Sequence, residues 1–165
     1  MEDMGYRNTT AVYELNRRAR LAWKRGRNVG TNSLAELVLL YMADRTYDWD
    51  SQRNEPPADA KAKQYPCRYY TLGWRQIASD LGMVLLTPEQ AADEHAAESM
   101  RRREDTAKRQ ISDAWAFLRE RGVLERLQPA SLGRNAGWLL LLGDESENRA
   151  VERWARECLG LPGLA

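Results

Sequence analysis

The chain has 165 residues, enough for one cored domain with additions and too few for two full domains. Charged residues make up 30% of it, yet the formal net charge is +1, so total charge points to neither nucleic acid nor membrane and any basic surface must be local. Cys67 and Cys158 are far apart without a metal-like spacing, no leader pattern opens the chain, and the longest apolar runs are too short for a bilayer, which predicts a cytoplasmic protein with reduced thiols.

The spacing of Val12, Leu15, Ala19, Ala22 and Trp23 predicts a first helix over 9–25. Its other positions carry Arg17, Arg18, Arg20, Lys24 and Arg25. Residues 1–30 hold seven basic and three acidic side chains, net +4. This segment reads either as a solvated amphipathic helix or as a basic arm laid on phosphates. Asn32 or Ser33 caps a second helix that runs to about 47. Leu34, Leu37, Val38 and Tyr41 form its stripe, widened by Leu39, Leu40 and Met42, so it is central. Residues 48–66 are polar, contain Pro56, Pro57 and Pro66, and read as a long, partly mobile loop. Cys67 to Tyr70 follows as a short strand.

Thr71 then offers an N-cap. Trp74, Ile77, Ala78 and Leu81 recur on one helical face, and Gly82 stands where a helix ends in a left-handed residue. From Pro88 to Arg121 no further Pro or Gly occurs, and Ala, Glu and Arg dominate. The segment is one long helix, or a helix over 88–100 joined to a second over 104–121. Ala107, Ile111, Ala114 and Leu118 make its apolar stripe, flanked by Trp115. Arg102, Asp105, Arg109, Ser112, Asp113 and Ala116 lie opposite. Val123 to Leu127 and Gly137 to Leu142 read as two strands joined by a turn-rich connection, a hairpin. A last helix over 145–159 lines up Val151, Trp154, Ala155, Cys158 and Leu159. It packs on its own domain or on a second copy.

Trp74 to Met83, with Ile77-Ala78 and Leu81-Gly82-Met83, together with Ile111 to Glu125, resembles the winged helix-turn-helix superfamily. The phrase from Ala116 to Glu125 is similar to the junction of recognition helix and strand in those domains. Within the superfamily the chain looks most like the actinobacterial, phage and plasmid replication-initiator or regulator type. The resemblance spans roughly 33–143. It implies a mainly α fold with a small β-hairpin wing and additional N- and C-terminal helices: a basic helix or arm over 1–31, a winged domain over 32–143 and a terminal helix over 144–165. The chain departs from the pattern in one respect, with about twenty residues between Gly82 and the amphipathic stripe where three or four are usual.

The implied activity is sequence-specific binding of double-stranded DNA, as a transcription regulator or the replication initiator of a mobile element. Such domains set the third helix in the major groove and touch the backbone with the wing. Arg102, Thr106, Arg109 and Ser112 are the expected base readers, because a guanidinium can donate twice to guanine. Arg101, Arg103 and Lys108 flank them for phosphates, and residues 101–109 are net +3. Arg75, Gln76, Arg134, Asn135 and the N-terminal Arg17, Arg18 and Arg20 are further backbone candidates. Against this, Glu98, Glu104 and Asp105 can neutralise neighbouring arginines along the helix, and Asp113 would repel phosphate. An alternative is a winged protein-interaction module, which suits the near-neutral total. A homodimer through either terminal helix is a further partner reading.

Catalytic signals are thin. His95 is the only histidine, in Glu94-His95-Ala96-Ala97-Glu98, and reads as a surface residue. No HExxH, CxxC, GxGxxG or GxxxxGK[ST] occurs, so no metal, cofactor or enzymatic activity is expected.

Overall fold

The structure, a computed structural model, describes residues 4–164. Residues 1–3 and 165, the extreme ends of the expected terminal segments, lie outside the described residues. The fold is mixed α/β. Helix α1 (Tyr6–Arg17) leads into a hairpin of β1 (Ala22–Arg25) and β2 (Asn28–Thr31), then α2 (Ser33–Asp44) and α3 (Ala58–Lys63). Strand β3 (Tyr69–Tyr70), α4 (Gly73–Asp80), α5 (Pro88–Ala92) and α6 (Ala96–Glu120) follow, then β4 (Leu124–Gln128), β5 (Gly137–Leu140) and α7 (Glu145–Leu159).

One core lies between the helices and the inner face of the antiparallel sheet β3-β5-β4. The helix α2 supplies Ala35, Val38, Leu39, Met42 and Ala43, and Asn32 caps it by accepting from the Ala35 N–H at 3.2 Å. The stripe of α6 turns inward as its spacing predicts: Ala107, Ile111, Ala114 and Leu118 are buried in the same core. Its neighbour Trp115 donates its indole N–H to the Met42 sulfur and tilts against Trp138 of β5, ring centres 4.7 Å apart.

The run from Trp138 to Leu142 is continuously apolar because β5 is the middle strand and both its faces are covered. Trp138, Leu140 and Leu142 point into the main core. Leu139 joins a second cluster with Trp49, Ala60, Cys67, Val151 and Ala155, packed by Leu141. That second cluster settles what α7 packs on: its apolar face covers the outer side of its own sheet. Asp144 caps α7 by accepting from Glu147 N, and Gly160 ends it in the left-handed region at φ 65°.

Three expectations need correction. The first helix stops at Arg17, and residues 22–31 form a hairpin instead of a continued helix. Ala19 adopts φ 55°, and Leu21 swings into the core, wholly buried. A helix carried on to Arg25 would stack Arg17 over Arg20 and Arg20 over Lys24, like charges at repelling spacings. Residues 48–66 are not a free loop. Trp49 is buried, Asp50 and Glu55 bridge in antiparallel fashion, and α3 is clipped to that bridge by Lys61 on Glu55 at 2.9 Å. Thr71 does not cap α4, because the helix starts two residues later, at Gly73, with Leu72 in the cap position. Two open points also resolve. The second helix ends at Asp44, and the segment from Pro88 breaks at 93–95 to give a short α5 and a 25-residue α6.

A wholly buried Arg68 ties the ends of the chain to its middle. Its Nε donates to Asn8 Oδ1 at 2.9 Å, its Nη1 meets Glu147 Oε1 at 2.5 Å and its Nη2 reaches Ser51 Oγ at 3.4 Å. Asn8 in turn donates to the carbonyls of Thr46 and Tyr47 and to the Thr46 hydroxyl. Asp48 accepts the backbone N–H groups of Arg7 and Asn8, so it caps α1 from a distant segment. Burial pushes the Asp48 carboxyl above its ordinary range, against those hydrogen bonds and the Arg68 charge.

Removing one partner of a buried charged pair costs about 3–5 kcal/mol. Arg68→Ala is therefore expected to lower unfolding free energy by about that amount in urea titration, and Arg68→Lys by a substantial part of it, since an ammonium cannot span three acceptors in the guanidinium's plane. A second expectation concerns the α2–α4 contact. The Tyr41 hydroxyl and the Gln76 amide donate to Asp80, which holds its carboxyl below the ordinary 3.8, while burial and the same contact push Tyr41 up to about 12. A depressed carboxylate stabilises above its unfolded pKa and loses that contribution as pH falls through the folded one. Asp80→Asn should thus shallow the fall of the thermal midpoint between about pH 4 and pH 2.

Candidate nucleic-acid interface

The inward stripe of α6 leaves its opposite side to solvent. Arg101, Arg102, Arg103, Thr106, Lys108, Arg109 and Ser112 are all exposed. The same side also carries Glu98, Asp105 and Asp113. Arg102 pairs with Glu98 one turn away at 2.6 Å, an exposed contact that contributes little to stability and yields readily to a competing anion.

The helix α4 crosses α6 on its core side and brings further candidates to one edge. Arg75 stacks over the Trp74 ring at 4.7 Å and reaches Glu104 at 3.3 Å. Lys108 approaches the same ring from α6 at 5.8 Å. The β4–β5 connection joins them, since Asn135 donates to the Thr71 carbonyl at 3.2 Å and packs where a Cβ on Gly73 would stand. Gly73 has φ 79°, so a side chain there would be strained as well as crowded. Arg134 is close enough to oppose the upward push of burial on Tyr69. Arg75, Lys108, Arg134 and Asn135 therefore border one flank of α6. Gln76, by contrast, is turned to Asp80 at 3.0 Å.

On the other flank Arg102, Arg103 and Thr106 line an open groove with Gly82, Met83, Gln90, Ser99 and Gln110. Gly82, at φ 68°, turns the chain out of α4 as its position predicts. The capped α5 then occupies part of the length between Gly82 and the stripe, held by a reciprocal pair of hydrogen bonds between Thr87 and Gln90.

Arg17, Arg18 and Arg20 are exposed too, but at the far end of α6. Arg20 donates to the carbonyl of Arg121 at 2.7 Å, about 25 Å along the helix axis from Glu104. Arg17 is paired with Glu14. The sequence reading missed the basic residues Lys24, Arg25 and Arg27 as a surface, having placed the first two on a helix. The signal was Gly26-Arg27 between two short β-compatible runs, since a Gly at the first position of a two-residue turn makes a hairpin.

His95 is exposed beside Glu94, ahead of α6. Among the described residues no group of three His, Cys, Asp or Glu side chains could hold a metal ion, and no helix is long and apolar enough to cross a membrane. No protein-family model, curated protein or solved structure matches the chain.

Proposed function

We propose that this protein binds double-stranded DNA, with α6 in the major groove and the β4–β5 hairpin on the adjoining backbone, in the manner of a winged helix-turn-helix. The observation that carries this reading is the division of α6 into two faces. Ala107, Ile111, Ala114 and Leu118 are buried, while Arg101, Arg102, Thr106, Arg109 and Ser112 are exposed on the other side. A helix anchored along one stripe by a core and bordered by a strand pair presents a rigid basic edge about 12 Å across, near the width of the major groove. The order of α2, β3, α4, α6, β4 and β5, with β5 between β3 and β4, supports the same reading.

In this arrangement Arg102 and Arg109 read base edges, and Thr106 and Ser112 add single hydrogen bonds. Arg101, Arg103, Lys108, Arg75, Arg134 and Asn135 meet phosphates. Glu98 and Glu104 exchange their arginines for phosphate when DNA arrives. Asp113 accepts from a cytosine amino group or faces water. The residues support binding rather than catalysis, so the protein acts by occupying a site, as a regulator or as the initiator of a mobile element's replication. The self-pairing of Arg102 with Glu98 and of Arg75 with Glu104 also suits a protein-docking module, the second reading.

Titration with duplex DNA separates the two. Neutralising four to six phosphates gives a slope of log K against log salt of roughly −4 to −5. A slope near zero removes direct DNA binding. Arg102→Ala and Arg109→Ala should each weaken a selected site by about 1–3 kcal/mol and relax one base position. Lys108→Ala should weaken all sequences alike and reduce the slope by about 1. Selection of bound duplexes from a random pool supplies the site, and half-sites repeated with two-fold symmetry would report a homodimer.

A further inference from the structure

The β1–β2 hairpin lies outside the reading above and carries charge of one sign only. Between Glu14 and Glu36 the chain has six basic residues, Arg17, Arg18, Arg20, Lys24, Arg25 and Arg27, and no acidic one. Both strands are short and in register, with Trp23 opposite Gly30 and Arg25 opposite Asn28. Gly26 opens the turn at φ 60°, and Lys24, Arg25 and Arg27 are exposed.

The hairpin is anchored to α6. Trp23 packs edge-on against Phe117, ring centres 6.1 Å apart, and Arg25 lies over Trp23 at 5.0 Å. Arg121 covers the Phe117 ring at 5.1 Å, and its carbonyl holds Arg20. The β4–β5 hairpin is anchored two residues away, where Trp115 meets Trp138 and Arg119 lies over the same Trp138 ring. Two residues on a helix are about 200° apart, so the two hairpins stand on opposite flanks of α6. They also run the same way. From Arg20 at Arg121 to Trp23 at Phe117, the first hairpin advances toward the N-terminal half of α6. From Trp138 at Arg119 to Asn135 beside Thr71, at the start of α4, so does the second. The turn at Gly26 and Arg27 lies about 10 Å beyond Trp23, at roughly 3.3 Å per residue.

We infer that the β1–β2 hairpin is a second basic arm, which grips the phosphates of a DNA duplex through Lys24, Arg25 and Arg27 on the side of α6 opposite the β4–β5 hairpin. This rests on the proposal that α6 enters the groove of duplex DNA. A groove about 12 Å wide has a phosphate strand on each side. The β4–β5 hairpin reaches one of them and the β1–β2 hairpin the other. The uniform sign of charge from Arg17 to Arg27 fits a phosphate ridge and gives no base specificity.

The test uses the full chain and a fluorescein-labelled duplex of about 30 base pairs, titrated between 50 and 200 mM salt, a range over which phosphate contacts dominate the affinity change. The triple variant K24A/R25A/R27A should bind at least about ten-fold more weakly at low salt, with a salt slope shallower by about 2–3 and an unchanged base preference. Its thermal midpoint should match the unaltered chain, because all three side chains are exposed. The variant R25K/R27K should bind nearly as the unaltered chain does, since a phosphate accepts either cation. If the triple variant keeps affinity and slope while R102A/R109A loses both, the hairpin assignment falls and the α6 reading stands. If R25K/R27K binds as poorly as the triple variant, the contacts are not phosphate contacts and the assignment falls. If the unaltered chain shows no salt-dependent binding, both readings fall together.

Discussion

A single guanidinium holds this fold in register. Arg68 is wholly buried and bridges three segments that are remote in sequence: α1 through Asn8, the turn after α2 through Ser51, and α7 through Glu147. An arginine cannot shed its charge, so burying it without partners would be prohibitive. The fold is therefore stable only when all three segments are in place around it. The Arg68 backbone also takes part: its N–H donates to the Tyr47 carbonyl and its carbonyl accepts from Leu140, which joins the network to the sheet. The backbone of Arg68 has φ 53°, a conformation a non-glycine residue adopts at a cost. That cost is offset by the hydrogen bonds it places.

From this centre the two sides of the sheet take separate roles. The inner face packs on α2, α4 and α6 and fixes the direction in which α6 turns its arginines. The outer face packs on α7 and on Trp49, and is closed to any partner. The surface open for recognition is thus the outward side of α6 with the two hairpins beside it. Aromatic pairs set that geometry more than charge does. Trp115 with Trp138 and Phe117 with Trp23 are stiff, large contacts at fixed positions round one helix. The charged side chains above them are free to rearrange.

Much of this was legible in the residue pattern, and the reasons differ by segment. The helix α7 was readable to its ends because Asp144, the Val151 and Ala155 spacing and Gly160 all agree. The stripe of α6 was readable because four apolar positions recur at helical spacing among charged ones. The β4–β5 hairpin followed from turn residues between two apolar runs. The β1–β2 hairpin was hidden because Ala19, Ala22 and Trp23 happen to continue the helical spacing of Val12 and Leu15. Only the burial of Leu21 and the position of Phe117, nearly a hundred residues downstream, break that pattern. The order within 48–66 was hidden because one tryptophan and a few small residues anchor it, with no period to detect. Arg68 could not be recognised from sequence at all, since an arginine in a polar stretch is ordinarily solvated and its partners come from remote segments.

The sheet has one more consequence. Because Arg68 draws on both terminal helices at once, neither can detach without stranding a cation beneath the other. The molecule should therefore melt as a single cooperative unit, and trimming it to the central recognition portion would yield a loosened chain, not a smaller version of the same binder.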